Sequence, residues 1–361
     1  MNRSHFLKSS LFTIAGITLA PSFLIGGTGK SVMPGNWAWM DGSLQTRSDQ
    51  WKKLFDKLLN GNVNGLLVNG SNELYEKIGP LGQQAGMQIH AWRWTMNRGD
   101  HMKDHPEWYS VNRLGQSVID KPPYVNYYRW MCPSHPEVKD LLIKDYSGLS
   151  EITGIKGVHL DYVRYCDIFL PVALLPKYHL VQDFEMPEFD YCYCPLCRSL
   201  FKEKSGYDPM DKADPSTDLA WHHFRLDQLV NVVRGIADAI HQKGSIITGA
   251  VFPTPEMSRR MVRQDWARFN LDAYLPMLYH DFYLKPTDWI GECIAEARKE
   301  MGNGTPIYAG VMMNPQTFNP EVLAKTIRQV KEAGGQGISS FTAGGLGKEQ
   351  LEVLKKYVSA L

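Results

Sequence analysis

Hydrophobic and polar positions follow two rhythms along the chain. Short runs in which nearly every residue is apolar fall at 35–40, 63–70, 87–94, 157–164, 245–252, 271–280, 305–313 and 336–344. Longer stretches between them carry apolar residues every third or fourth position, most clearly at 136–152, 220–244, 320–335 and 347–361. The first rhythm suits strands buried on both faces, the second amphipathic helices. Strands alternating with helices predict a parallel sheet, and eight such units in about 330 residues predict closure into an α/β (β/α)₈ TIM barrel. A doubly wound open sheet is the competing arrangement. The helical stretch at the C-terminus and the lack of a Gly-rich phosphate loop after the first strand argue against it.

Two gaps in the pattern are long, 95–156 after the third strand and 165–244 after the fourth. Insertions at those places in a barrel shape the cleft at the C-terminal face. The stretch 165–219 is rich in Pro, Asp and aromatic residues and reads as an ordered excursion within one barrel domain, 31–361. Residues 1–30 read as a signal segment: Arg3 and Lys8 precede an apolar core interrupted by Pro21 and ending in small residues. The run RSHFLK is similar to a twin-arginine signal with Ser4 at the second arginine. Export to the periplasm or the medium is therefore expected. No later segment is apolar for long enough to span a bilayer, so no membrane contact is expected once the signal is removed.

With 39 basic and 38 acidic residues, net charge +1, the chain offers no electrostatic footprint for nucleic acid or an anionic membrane. Its ten Trp and seventeen Tyr say more, because several stand at strand ends, where aromatic faces stack on sugar rings. The strand ends offer Trp37 and Trp39, Asn69, Trp92 and Arg93, Asp161, Tyr162 and Arg164, Tyr279, His280 and Asp281, and Asn314. No Lys stands at a strand end for Schiff-base chemistry, and no GxSxG elbow is present.

Two carboxyl groups facing each other across a cleft hydrolyse a glycosidic bond. Asp161 is expected as nucleophile or stabilising carboxylate, kept ionised by Arg164, and Asp281 as the acid, tuned by His280. Glu185, Glu188 and Asp190 are reserves for the acid. Trp37, Trp39, Asn69, Trp92, Arg93, Tyr162, Arg164, Tyr279 and Asn314 are expected to line sugar subsites. A retaining outcome is expected, which requires carboxyls about 5 to 5.5 Å apart. The competing functions are a glycan-binding barrel without catalysis and a metal-dependent hydrolase or deacetylase. The latter would use Asp100, His101, Asp104 and His105 of 100-DHMKDH-105.

The segments 157-GVHLDYVRY-165, 105-HPEWYSVNRLGQS-117 and 129-RWMCPSHPEVKDLL-142 resemble, in order, those of exported family-10-like glycosyl hydrolases. The resemblance implies a (β/α)₈ barrel, a carbohydrate ligand and Asp161 as a catalytic acid residue. A nucleophile on strand four with an acid on strand six is similar in position to the α-galactosidase clan. In 192-CYCPLCRSLF-201, Cys192, Cys194 and Cys197 are spaced to wrap one tetrahedral Zn²⁺, with a fourth ligand from elsewhere. The cluster is similar to that of family 42 β-galactosidases, which implies Cys132 of MCPSHP as the fourth ligand, with Cys166 its rival. Such a zinc would be structural; no cofactor for catalysis is implied. Disulfides or free thiols are the other fates of these residues in an exported chain.

Overall fold

The computed structural model of the chain describes residues 33–358, so residues 1–30, read above as a signal, lie outside the described residues. Pro34–Leu361 form one compact unit. Eight parallel strands appear where the apolar runs predict them: β1 (Trp37–Asp41), β2 (Gly65–Asn69), β3 (Gln88–Trp94), β4 (Ile155–Asp161), β5 (Ile246–Val251), β6 (Ala273–Pro276), β7 (Tyr308–Met312) and β8 (Gly337–Phe341). They hydrogen-bond in the order β6-β5-β4-β3-β2-β1-β8-β7. Parallel bridges Tyr274↔Ile307 and Met277↔Gly310 join the two ends, bringing the barrel close to closure.

The helices α1 (Ser48–Asn60), α2 (Asn72–Ala85), α3 (Pro136–Ser150), α4 (Pro195–Ser205), α5 (Leu219–Gln242), α6 (Pro255–Val262), α7 (Trp289–Met301), α8 (Pro320–Glu332) and α9 (Lys348–Val358) follow the strands. Pro at the first turn starts several, where a missing N–H costs nothing, and α5 begins with the Asp218 side chain accepting from two backbone N–H groups. The insertions after β3 and β4 occupy 95–135 and 162–218, the latter containing α4.

The bounds of β4 and β6 differ from expectation. Gly157 lies inside β4, not in front of it, because the barrel interior is crowded there: a Cβ would stand 2.7 Å from the His90 ring and 2.5 Å from the Ile246 carbonyl. At the other end β4 stops at Asp161, because Tyr162 turns into the left-handed region, φ 46°. The strand run 271–280 is likewise shortened to Pro276, beyond which the chain turns.

Alternate side chains of each strand point inward. At the lower level Trp37 packs edge-on against His90 and Tyr308. One level higher the Trp39 Nε1–H donates to His159 Nε2 at 3.0 Å, and His159 Nδ1 meets Thr248 Oγ1 at 2.8 Å. His90 Nδ1 reaches the same hydroxyl at 3.3 Å. Burial pushes His90 down to about 3 and His159 well below its usual value, the latter with help from His90. Both rings are therefore neutral in the folded chain.

The sign of the pH effect follows. Below a pKa of about 6.5 the unfolded histidines take up protons that the buried rings refuse, so their contribution is complete above that pH and lost as pH falls. His90 alone should cost about 2 kcal/mol of stability between pH 7 and pH 5. Denaturant titrations at the two pH values measure this, and a stability that stays level between them would contradict it.

Candidate active site

Above the Trp39 level the barrel opens into a cavity of about 550 Å³ at the C-terminal mouth. Trp39, Trp92, Tyr279 and Phe341 supply its aromatic floor and sides, with Trp92 edge-on to Phe341 at 6.4 Å and Tyr279 tilted to it at 5.8 Å. The insertions complete the wall. Trp94 stacks at a tilt on Tyr162, 4.7 Å between centroids, and Tyr124, Tyr128 and Tyr178 close the side beyond it.

Asp161 ends β4 facing this cavity. Its Oδ2 accepts the Trp92 indole N–H at 3.1 Å and its Oδ1 accepts the Tyr162 backbone N–H at 2.6 Å. The turn at Tyr162 is what aims that N–H back at the carboxyl. Burial nevertheless raises the Asp161 pKa against both hydrogen bonds and the Arg164 charge. The expectation that Arg164 keeps this acid ionised is corrected by the geometry. Arg164 Nη1 pairs with Asp167 at 3.1 Å and donates to the Tyr165 carbonyl at 3.0 Å. Its guanidinium is caged by the rings of Trp130, Phe252 and Tyr162, 4.7 to 5.2 Å from their centroids. Asp167 also accepts the Tyr128 hydroxyl at 3.0 Å.

Of the residues expected at the site, Trp39, Asn69, Trp92, Asp161, Tyr162, Arg164 and Tyr279 line the cavity. Five others do not. Trp37 faces inward but lies at the lower level, fully buried. Arg93 has the opposite phase on β3 and points away, donating to Asn72 Oδ1 at 2.6 Å over the Tyr75 ring. His280 is buried against Phe318, its Nδ1 meeting the Lys285 carbonyl and Asp281. The Asp281 side chain is 70% exposed beside it and does not line the cavity that Asp161 faces. Asn314 is spent on a turn, accepting from the Gln316 N–H.

Two of the reserve acids, Asp190 and Glu185, are occupied as well, and the third, Glu188, does not line the cavity. Asp190 pairs with the fully buried Arg225 and accepts the Tyr193 hydroxyl, and Glu185 pairs with Arg263. Asp100, His101, Asp104 and His105 do not converge: His105 stacks flat on Trp108 at 3.9 Å and pairs with Glu107. The metal-dependent hydrolase therefore loses its centre. Cavity residues that sequence reasoning passed over include Asp41, which continues the inward phase of Trp37 and Trp39, and Asp167, Tyr128 and Lys177 from the insertions.

Cys132, Cys192, Cys194 and Cys197 are all buried, with their four Sγ atoms within 4.8 Å of one another. Cys132 Sγ stands 3.3 Å from Cys197 Sγ and 3.7 Å from Cys194 Sγ. Four thiolates at about 2.3 Å from one tetrahedral Zn²⁺ are about 3.8 Å apart, so the set fits that ion. Backbone N–H groups of Val111, Cys194 and Cys197 point at the Cys192 and Cys194 sulfurs, as suits thiolate acceptors. Cys166 lies outside the group, and no disulfide is present among the described residues.

No protein-family model and no curated protein matches the sequence. The fold is similar to the catalytic domain of the β-amylase of Paenibacillus polymyxa, with TM-score 0.59 and 12% identity over 90% of this chain and 97% of that one. It is similar to the β-galactosidase of the psychrophilic Marinomonas ef1, with TM-score 0.60 and 10% identity over 91% of this chain and 59% of that one. The α-L-fucosidase isoenzyme 2 of Paenibacillus thiaminolyticus gives TM-score 0.56 and 15% identity over 91% and 49%. The chain thus spans about half the length of the last two. At these identities the likeness establishes one thing: this chain folds as the (β/α)₈ barrel that glycoside hydrolases use.

Proposed function

We propose that the chain is a glycoside hydrolase that cleaves a glycosidic bond of an oligo- or polysaccharide in the cavity at the barrel mouth. The observation that carries the reading is Asp161, a carboxyl with a raised pKa among aromatic rings suited to stacking on sugars. Its chemistry favours proton donation to the leaving oxygen over attack on the anomeric carbon, because burial favours the neutral form. The names of the three neighbours given above, a β-amylase, a β-galactosidase and an α-L-fucosidase, support the class and leave the sugar open.

Turnover of a panel of aryl glycosides and oligosaccharides tests this. Asp161→Asn should lower kcat/KM by about 10²- to 10⁴-fold with the melting temperature preserved. In the unaltered chain activity should fall as pH rises through the raised Asp161 pKa, since the acid must be protonated, and this limb should vanish in the variant. Glycan binding without turnover, indifferent to the substitution, would instead make the protein a lectin-like barrel.

We also propose that residues 1–30 direct export and that the four cysteines hold a structural Zn²⁺. Cys132 comes from the insertion after β3 and the other three from the insertion after β4, so the ion would fasten the two walls of the cavity together. It has no open position in this reading and takes no part in catalysis. The purified mature protein should begin beyond the apolar segment and contain one zinc per chain. Strong chelation should lower its melting temperature by several degrees. Two disulfides among these cysteines in the intact mass would defeat the zinc reading.

A further inference from the structure

A glycosidase acid needs a partner across the cleft, and neither Asp281 nor any of the reserve acids lines the cavity. Three carboxyls line the cavity: Asp41, Asp161 and Asp167. Asp167 is bound to Arg164 and the Tyr128 hydroxyl. Asp41 is exposed, and its Oδ1 accepts one hydrogen bond, from Asn69 Nδ2 at 2.9 Å.

Its height follows from the register of the strands. Trp37 lies across β2 from Gln88, yet packs on His90, two residues further along β3. The inward level therefore advances one residue per strand. Asp41 lies across β2 and β3 from His159, so at that pitch it comes within one residue of the level of Asp161. Eight strands about 4.8 Å apart and tilted by about 36° close on a radius of about 7.5 Å, which sets β1 and β4 about 14 Å apart across the mouth. Aspartate side chains reaching inward shorten this by about 2.5 Å at each end, to about 9 Å between carboxyls. Both also lean toward one sector, Asp41 to Asn69 on β2 and Asp161 to Trp92 on β3, and Asn69 and Trp92 are register partners.

We propose that Asp41 is the second catalytic carboxylate, the general base of an inverting hydrolysis, held in place by Asn69. This rests on the glycosidase reading of the site. A separation of about 9 Å from barrel geometry suits the roughly 6.5 to 9.5 Å that leaves room for a water between two carboxyls better than the retaining spacing expected from the sequence. Asp41 removes a proton from that water as its oxygen bonds to the anomeric carbon. The bond to the leaving oxygen breaks, and Asp161 protonates that oxygen. Solvent then returns Asp41 and Asp161 to their starting forms.

The test uses the mature chain on whichever glycoside it turns over. Proton NMR of the first product should show the inverted anomer. Asp41→Asn and Asp41→Ser should each lower kcat by about 10²- to 10⁴-fold while KM and the melting temperature stay near those of the unaltered protein. A retained anomer, or an Asp41 variant as fast as the unaltered chain while Asp161→Asn is inactive, overturns the inference and leaves the glycosidase reading standing. A chain that turns over no glycoside defeats both.

Discussion

The hydrogen bond from the Trp39 indole to His159 crosses the inside of the barrel from β1 to β4, and the site stands on it. Because His159 Nε2 accepts, its proton must sit on Nδ1, where Thr248 Oγ1 takes it. The ring is thereby committed to its neutral form. This bond lays Trp39 as the floor of the cavity and places Asp41, Asn69, Trp92 and Asp161 in the layer above. An aliphatic plug would fill the same space, but the directional bonds also fix how β1, β4 and β5 are oriented about one another.

Above that floor the walls are built from insertions, and buried charge holds them. Arg225 with Asp190, Arg263 with Glu185, and Arg164 with Asp167 tie the stretch after β4 to itself, to α5 and to the end of α6. Removing one member of such a buried pair strands the other and costs about 3 to 5 kcal/mol. Tyr124 and Tyr128 extend the arrangement across to the insertion after β3, through the backbone carbonyl and carboxylate of Asp167. The cavity is thus a rigid barrel mouth with a wall pinned at several points.

The barrel was legible because a strand covered on both faces must be apolar throughout, and eight such runs leave little choice of architecture. Asp161, Trp92 and Tyr279 were legible for a related reason, since strand ends of a barrel face the site. Phase along a strand reports facing but not depth, which is why Trp37, in step with Trp39, proved to lie a level too low. Arg93 is out of step with His90 and Trp92, and parity alone would have turned it outward. Asp41 escapes because the apolar run of the first strand ends one residue before it, at Met40. Asp281 and His280 fall off the site for the opposite reason, because the apolar run 271–280 outlasts the strand, which ends at Pro276. Asp167 and Tyr128 carry no periodic signal at all. They meet across 39 residues of sequence through tertiary contacts.

The pairs that pin the cavity wall are shut away from solvent: Arg225, Arg263 and Asp190 have no exposed side-chain surface at all. Mobile ions screen charges that they can surround, and they cannot enter here. The shape of the cleft is accordingly decoupled from the salinity around the protein, while the exposed pairs on the outer helices, such as Lys325 with Asp288, are not.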